Sequence, residues 1–581
     1  MPGPPRTVGW AAAYRRRGPR VVKRGASGRA HGHCSATPAW HRMEAGAERT
    51  EAHVSQACEQ IGEILERAGL TPSQCLACDV CCRFASPTAS FVPFFSAREL
   101  ATLSEAASRH FLAPGASPGD RPFALPDGAD WRCPFRRAES QACTLYDQRP
   151  LDCRLYPFVL MFDEAGRQVW LGLDEVCPFA RGLKGSPALL QATDEAAKLL
   201  DGPLAPSIAA APGIVSRFHD HIRPLRVLPE ATRRVCRSDL GLARLVATSR
   251  AELADYFRAR PTCLTGHAFP AIYLWADLFN LHWRAEADCL LVFAEADGVS
   301  FLMAPPLGTG DVRKALRYAT EVMAALNGGR GGARAQEVDE TLLPIFATEG
   351  WQVGHRAQEY LCETALLVEL RGRHFDGRRH DIRRFERTYR ATWRPYASSD
   401  FPACVALLRR WQAERTRQYP DPFYRNQLEA SGCLHLRTLR EAQELGIQGF
   451  VVELATDGTT GGMDGEAGQS DTHPLIRSSG HPTLSAYTFG FPLADGETFC
   501  DFIEVADLAV PGLAAWTFRE FCREARAYPH LNVGTDSELP NLARAKLAYR
   551  PARLVPAYVV NAPATPSAPG PARTGEPPSD R

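Results

Sequence analysis

The stretch CLACDVCC, residues 75–82, sets four cysteines in eight positions, two of them adjacent. How it is read decides what kind of domain the N-terminal third of the chain can build. A C-x2-C pair brings two thiolates to one ion through a tight turn, as zinc ribbons and iron–sulfur proteins do. A thioredoxin-type redox pair shares that spacing, but its motif opens a helix after a buried strand. Here the preceding SQACEQIGEILERAGLTPSQ reads as an amphipathic helix and a turn, which disfavours the redox reading.

Further cysteines follow downstream: Cys133 in WRCPF, Cys143 and Cys153 in CTLYDQRPLDCRLYPF, and Cys177 in EVCPF. With Cys75, Cys78, Cys81 and Cys82 they make eight. The other ten of the eighteen stand singly, several in apolar runs such as CLLVF, where cysteine behaves as a small core residue. Pro134, Pro150, Pro157 and Pro178 stiffen the loops around the clustered eight, and Arg149 and Arg154 bring positive charge beside them. One tetrahedral zinc or one four-iron cluster takes four thiolates, so eight exceed a single centre. Cys81 and Cys82 would point apart in an extended chain. Only His110 lies between Cys75 and Cys177, so the donor set reads as all-sulfur, admitting zinc or an iron–sulfur cluster, with the balance toward iron–sulfur.

The pattern C-x2-C-x2-CC, then CPF, then C-x2-Y-x2-RP-x2-CR-x-YPF and a final Cys resembles the YkgJ-type cysteine-cluster family over about residues 70–180. That family is described as zinc- or iron-chelating. The resemblance implies metal ligation by Cys75, Cys78, Cys81, Cys82, Cys133, Cys143, Cys153 and Cys177, and leaves the metal open.

Composition excludes several classes. At 581 residues the chain needs more than one core. A net charge of +1, with 45% hydrophobic and 23% charged residues, gives no mandate for nucleic acid or an acidic membrane. No run of about 18 apolar residues is present, so no membrane span is expected. Residues 1–50 read as a disordered basic tail or a start assigned ahead of Met43. With no secretory signal read there, the expected compartment is the reducing cytoplasm, where eighteen cysteines are not a disulfide framework. Residues 51–205 then form the cysteine-cluster metal domain, 206–239 a connector, 240–562 a second folding unit able to stand alone, and 563–581 a disordered tail.

From about residue 236 helices alternate with the strands CLLVFAEA, VSFLMA, ALLVEL and FVVELA, which is α/β patterning. The Gly/Ser/Asp-rich insert 455–482 splits two strands of a hairpin. Five stretches, FNLHWR (279–284), APPLG (304–308), GRRHDIRRFER (377–387), IEVAD (503–507) and NVGTDSELPNLARAKLAYRP (532–551), resemble the C-terminal domain of phosphatidylglycerol lysyltransferase. The resemblance covers about 240–560. It implies a tandem GNAT-like fold that moves an aminoacyl group from aminoacyl-tRNA to a lipid or small-molecule acceptor. Val533, Gly534, Ala543 and His380 depart from the family pattern, and the lysyltransferase's membrane half has no counterpart here.

Read by their chemistry, Glu504, Asp507 and Asp536 are candidate bases, while Lys546 and Tyr549 could stabilise an oxyanion or hold the tRNA terminus. Asn532 and the arginines Arg379, Arg383 and Arg384 are candidate substrate-binding groups, the arginines suiting a phosphate backbone. The nearest approach to a CoA pyrophosphate loop, AVPGLAAWTFREF (509–521), keeps Gly512 and Ala514 but has Ala509 where a polar residue belongs. The expectation is an α+β protein: a loop-rich cysteine-cluster domain followed by a tandem GNAT-like transferase domain. The alternatives are a non-catalytic metal-dependent binding or sensing protein and a CoA-dependent N-acyltransferase.

Overall fold

The computed structural model describes residues 56–111, 119–140, 142–296, 298–328, 332–455 and 482–563. Both expected tails and nearly all of the 455–482 insert lie outside these residues.

The cysteine domain is built on α1 (residues 56–67), α2 (Pro72–Leu76), α3 (Leu151–Leu155), the hairpin β1 (Phe158–Phe162) and β2 (Val169–Asp174), α4 (Pro187–Leu200), β3 (Ile222–Val227) and α5 (Pro229–Cys236). The run FVLMF of β1 is buried throughout, which is why it reads as unbroken apolar sequence. In α4, Ser186 caps the helix by accepting from the Leu189 amide, and Leu189, Ala192, Ala196 and Leu200 line its buried face. The expected connector 206–239 is part of this domain. β3 pairs antiparallel with β2, and Ile208, Leu228, Ala231 and Val235 join Leu160 and Leu171 in one core. Of the prolines and arginines that suggested a linker, Pro229 opens α5, Arg233 and Arg234 lie in its last turn, and Pro224 and Arg226 are on the exposed side of β3.

The C-terminal half comprises β4 (Ala243–Arg244), β5 (His282–Glu286), β6 (Cys289–Ala296), β7 (Val299–Leu302), α6 (Val312–Leu326), β8 (Arg334–Val338), α7 (Leu343–Thr348) and β9 (Gln352–Glu363). It continues with α8 (Thr364–Glu369), α9 (Asp376–Thr388), β10 (Ala391–Pro395), α10 (Phe401–Gln418), α11 (Pro422–Glu441), β11 (Gln448–Leu454), β12 (Thr483–Pro492), β13 (Thr498–Ala506), α12 (Leu513–Glu524), β14 (His530–Thr535), α13 (Pro540–Leu547) and β15 (Arg553–Asn561).

The twelve strands β4–β15 belong to one sheet, ordered β10-β11-β12-β13-β14-β9-β15-β8-β7-β6-β5-β4. That order is a palindrome. Each lobe is an antiparallel run of strands, a helix, a parallel strand, a second helix and a last strand. β7 pairs parallel with β8 in the first lobe, and β13 with β14 in the second. The last strands are exchanged: β9 leaves the first lobe to pair with β14, and β15 leaves the second to pair with β8. They pair with each other at the centre from Gln352–Asn561 to Leu361–Arg553. The tandem GNAT-like architecture is thus present, as is the hairpin β11–β12 flanking the insert. ALLVEL, expected as a strand, is instead the helix α8. A short apolar run has no periodicity of its own to choose with, and β9, which precedes it, already has β14 and β15 on its two edges.

The two halves are packed together. The Arg244 amide donates to the Gly166 carbonyl at 2.8 Å. Gly166, at φ +71°, sits where a Cβ would lie 2.2 Å from the Arg244 oxygen. Phe123 of the cysteine domain enters the core of the C-terminal half 5.9 Å from the Phe401 ring, beneath the Arg409 guanidinium.

Candidate functional site

Seven of the eight cysteines, all but Cys177, line one cavity of about 230 Å³ in the cysteine domain. α2 supplies Cys75, the tight turn Val80–Cys82 supplies Cys81 and Cys82, and α3 supplies Cys153. Cys81 and Cys82 do not point apart: the turn is helical rather than extended, and their thiols hydrogen-bond. That bond from Cys81 holds Cys82 below the usual thiol range, helped by Arg136 and Arg149. Burial raises Cys153 and Cys133, and the nearby thiols add to it. Arg149 also lines the cavity, stacked 3.9 Å from the Tyr146 ring, while Arg154 instead braces the loop through the Asp147 and Arg149 carbonyls. His221, on β3's approach, reaches the same cavity from outside the Cys75–Cys177 window, so the lining is not purely sulfur. The donors suit a thiophilic ion in kind. Among the described residues, no three His, Cys, Asp or Glu side chains are drawn to one point.

The second cluster lies where β13 and β14 part. Their parallel pairing runs only from Thr498–His530 to Cys500–Asn532. In β13 the register with β12 slips between Asp501 and Ile503, and such a bulge turns residues three apart, Asp501 and Glu504, to one face. Burial pushes Asp501 up to about 6, with Lys546 opposing. Burial and the Asp501 charge push Glu504 well above the usual carboxylate range. Asp501 Oδ1 and Glu504 Oε2 are buried without a hydrogen-bond partner. Lys546 of α13 donates to the Val533 carbonyl; burial lowers its pKa against the pull of Asp501, Glu359, Cys500 and Asp536.

Glu359, 2% exposed, is brought from the first lobe by the exchanged strand β9. It accepts from the Thr265 amide at 3.0 Å and from Asn532 Nδ2 at 2.5 Å. Asn532 is fully buried, its amide also bonding Cys263 O at 2.7 Å and its oxygen accepting from Gly534 N at 2.8 Å. Asp536 accepts from the Tyr360 hydroxyl at 2.6 Å. The Arg378 guanidinium lies 3.8 Å from the Tyr549 ring centroid.

Five sequence-derived candidates therefore meet here: Glu504, Asp536, Lys546, Tyr549 and Asn532. Asp507 does not join them; it pairs with Arg410 at 3.5 Å and accepts from the Ala509 amide. Arg379 is spent on the Leu370 and Gly372 carbonyls and Asp376. Arg383 and Arg384 are exposed on α9. Glu359, Asp501 and Arg378 were missed. Asp501 had a readable signal, an acid in mid-strand between Cys500 and Phe502. Glu359 had none, because its place depends on the strand exchange.

α12 opens at Gly512, φ +83°, against the backbone of α9; a Cβ there would lie 2.4 Å from the Asp381 carbonyl oxygen. In the first lobe the Asp311 carboxylate occupies the start of α6, accepting from the Arg313 and Lys314 amides.

A two-lobed GNAT-like domain carrying an acid–lysine cluster at its strand splay, joined to a thiol-rich domain, is a transferase-type architecture. The chain belongs to the phosphatidylglycerol lysyltransferase C-terminal family, whose model matches residues 263–561. Residues 74–178 match the CxxCxxCC family, described as "Putative zinc- or iron-chelating domain". Among solved structures, a conserved protein of unknown function from Bacteroides thetaiotaomicron VPI-5482 is 20% identical, with TM-score 0.45, over 56% of this chain and 99% of that one. L-PGS from Bacillus licheniformis is 11% identical, with TM-score 0.37, over 54% and 91%. FemX is 9% identical, with TM-score 0.36, over 55% and 96%. No curated protein matches. Among the described residues no helix is long and apolar enough to cross a membrane.

Proposed function

We propose that the protein transfers an aminoacyl group from an aminoacyl-tRNA to a lipid or small-molecule acceptor. The observation that carries this reading is the pair of buried carboxylates Asp501 and Glu504, each with an orphaned oxygen, with Lys546 acting on Asp501, at the splay of β13 and β14. Buried polar atoms without partners are uncommon and mark places where a substrate supplies the partner. Asp501 takes the proton of the acceptor amine or hydroxyl as its lone pair attacks the ester carbonyl carbon. The Lys546 ammonium meets the charge that forms on the carbonyl oxygen. The ester C–O bond then breaks, and the ribose oxygen leaves with the proton from Asp501. Glu359, fixed by Thr265 and Asn532, holds Lys546 charged.

Transfer from CoA is the poorer fit. A pyrophosphate needs open amides at a helix start, but α9 roofs that of α12 and Asp311 fills that of α6. For the cysteine domain the reading is an iron–sulfur centre, on the strength of thiol number, with zinc as the other outcome. Free thiols of this kind belong in a reducing compartment such as the cytoplasm.

The decisive assay follows ester loss from the complete set of aminoacyl-tRNAs with the full-length protein and candidate acceptors. Transfer with at least one charged tRNA is expected. Spontaneous hydrolysis rates throughout would overturn the reading in favour of a non-catalytic protein. Anaerobic purification with iron and sulfide supplied should give a coloured protein; a colourless one with stoichiometric zinc would replace the cluster by zinc.

A further inference from the structure

A second cavity, of about 240 Å³, lies where the cysteine domain, β4 and α11 meet; it adjoins the cysteine cavity, sharing Ser90, Arg121 and Ser216 with it, and contains none of the acid–lysine cluster. Guanidinium groups dominate its walls, and most of them are answered. Arg440 pairs with Asp120 at 3.4 Å, Arg437 with Asp277 and with Glu441 at 3.3 Å, and Arg217 with Glu444. Arg121 is met by Asp152 at 3.8 Å. Arg244 differs. It is only 7% exposed, its one side-chain hydrogen bond is to Asn280 Oδ1 at 3.2 Å, and among the described residues no carboxylate lies within ion-pairing distance. Burial, with the Arg437 charge adding to it, lowers its pKa to about 10 against the pull of Cys236, Tyr273 and Asp277, so it stays charged at neutral pH.

A buried cation without a counter-ion is costly unless something supplies the charge. Here the side chain faces a cavity rather than packed protein, so the counter-ion can come from solution. We propose that this interdomain cavity binds a small metabolite carrying one carboxylate, seated on the Arg244 guanidinium. Of the five lining arginines, Arg121, Arg217, Arg437 and Arg440 each have a carboxylate at ion-pairing distance and Arg244 has none, so a single negative charge is what Arg244 lacks. The planar fork of arginine also matches a carboxylate with two parallel hydrogen bonds.

The site is independent of the transferase reading, and its test uses no activity. The full-length protein is melted in rising acetate or formate against chloride of equal ionic strength, with inorganic phosphate as a third series. A saturable rise in Tm of about 5 °C is expected with either carboxylate, and less with phosphate. Arg244→Gln should weaken the acetate response at least tenfold. Because Arg244→Gln could unfold the interface, Ala276→Phe, which fills the cavity and leaves the guanidinium in place, gives a second arm with the same expected loss. A response absent in the wild type, or unchanged in a folded variant, overturns the proposal; a response larger with phosphate than with either carboxylate overturns its charge assignment.

Discussion

Position 546 holds a lysine in a chain whose cationic residues are otherwise nearly all arginine. Lysine shifts its pKa readily on burial and presents a compact charge, which an arginine fork does not reproduce. Lys546→Ala should lower transfer by about a hundredfold or more at unchanged Tm, and Lys546→Arg should not restore it. Asp501 gives a prediction of opposite sign for stability. Its folded pKa, about 6, lies above the unfolded value, so the folded protein holds the extra proton and stability falls as pH rises from about 4 to about 6. Asp501→Asn should therefore raise Tm at pH 8, leave it nearly unchanged at pH 4, and abolish the limb of the rate profile that rises through pH 6. A variant that melts lower at pH 8 would mean that the carboxylate is a structural partner, not a strained catalytic group. Glu504, Asp536, Lys546 and Tyr549 were legible because they lie within two short motifs near the C-terminus. Glu359 was not, because nothing local to HRAQEYLCE says which lobe it will serve. Asp507 lies beyond the bulge, and its carboxylate turns to Arg410 instead.

At the level of elements, the contact between α9 and α12 sets what the second lobe can accept. Gly512 combines a left-handed backbone with an oxygen in van der Waals overlap of any Cβ. Gly512→Ala should cost about 2 kcal/mol or more, seen as a drop in Tm, and CoA should leave the melting curve of the wild type unmoved. The outer face of α9 presents Arg383 and Arg384 to solvent. If they follow a tRNA backbone, the double change to glutamate should weaken tRNA binding and reduce the slope of log affinity against log salt by about 1–2. An unchanged slope would leave them a solvated helix face. The strands β6, β7 and β11 were readable from their sequence. Short apolar runs were not: ALLVEL turned into a helix since both edges of the preceding strand were taken.

For the whole molecule, the expectation of two units folding apart meets an interface that includes the side chain of Phe123 and ion pairs from Arg440 and Arg217. A fragment of residues 240–562 should therefore melt below the transferase transition of the full chain, and Phe123→Ala should lower that transition in the intact protein. Equal melting temperatures for fragment and full chain would restore independent domains. The boundary at 206–239 was hidden because Pro- and Arg-rich sequence looks alike in a linker and on the wet face of a small sheet. The palindromic strand order was hidden more deeply, since pairing across some two hundred residues leaves no local pattern. It also has a temporal side. During synthesis β8 emerges long before β15, the strand that will cover its edge, and β9 emerges before β14 exists. The nascent chain must therefore carry two unsatisfied strand edges until its last segment leaves the ribosome, which makes this stage of its life the one most exposed to intermolecular pairing and the one where a chaperone is most useful.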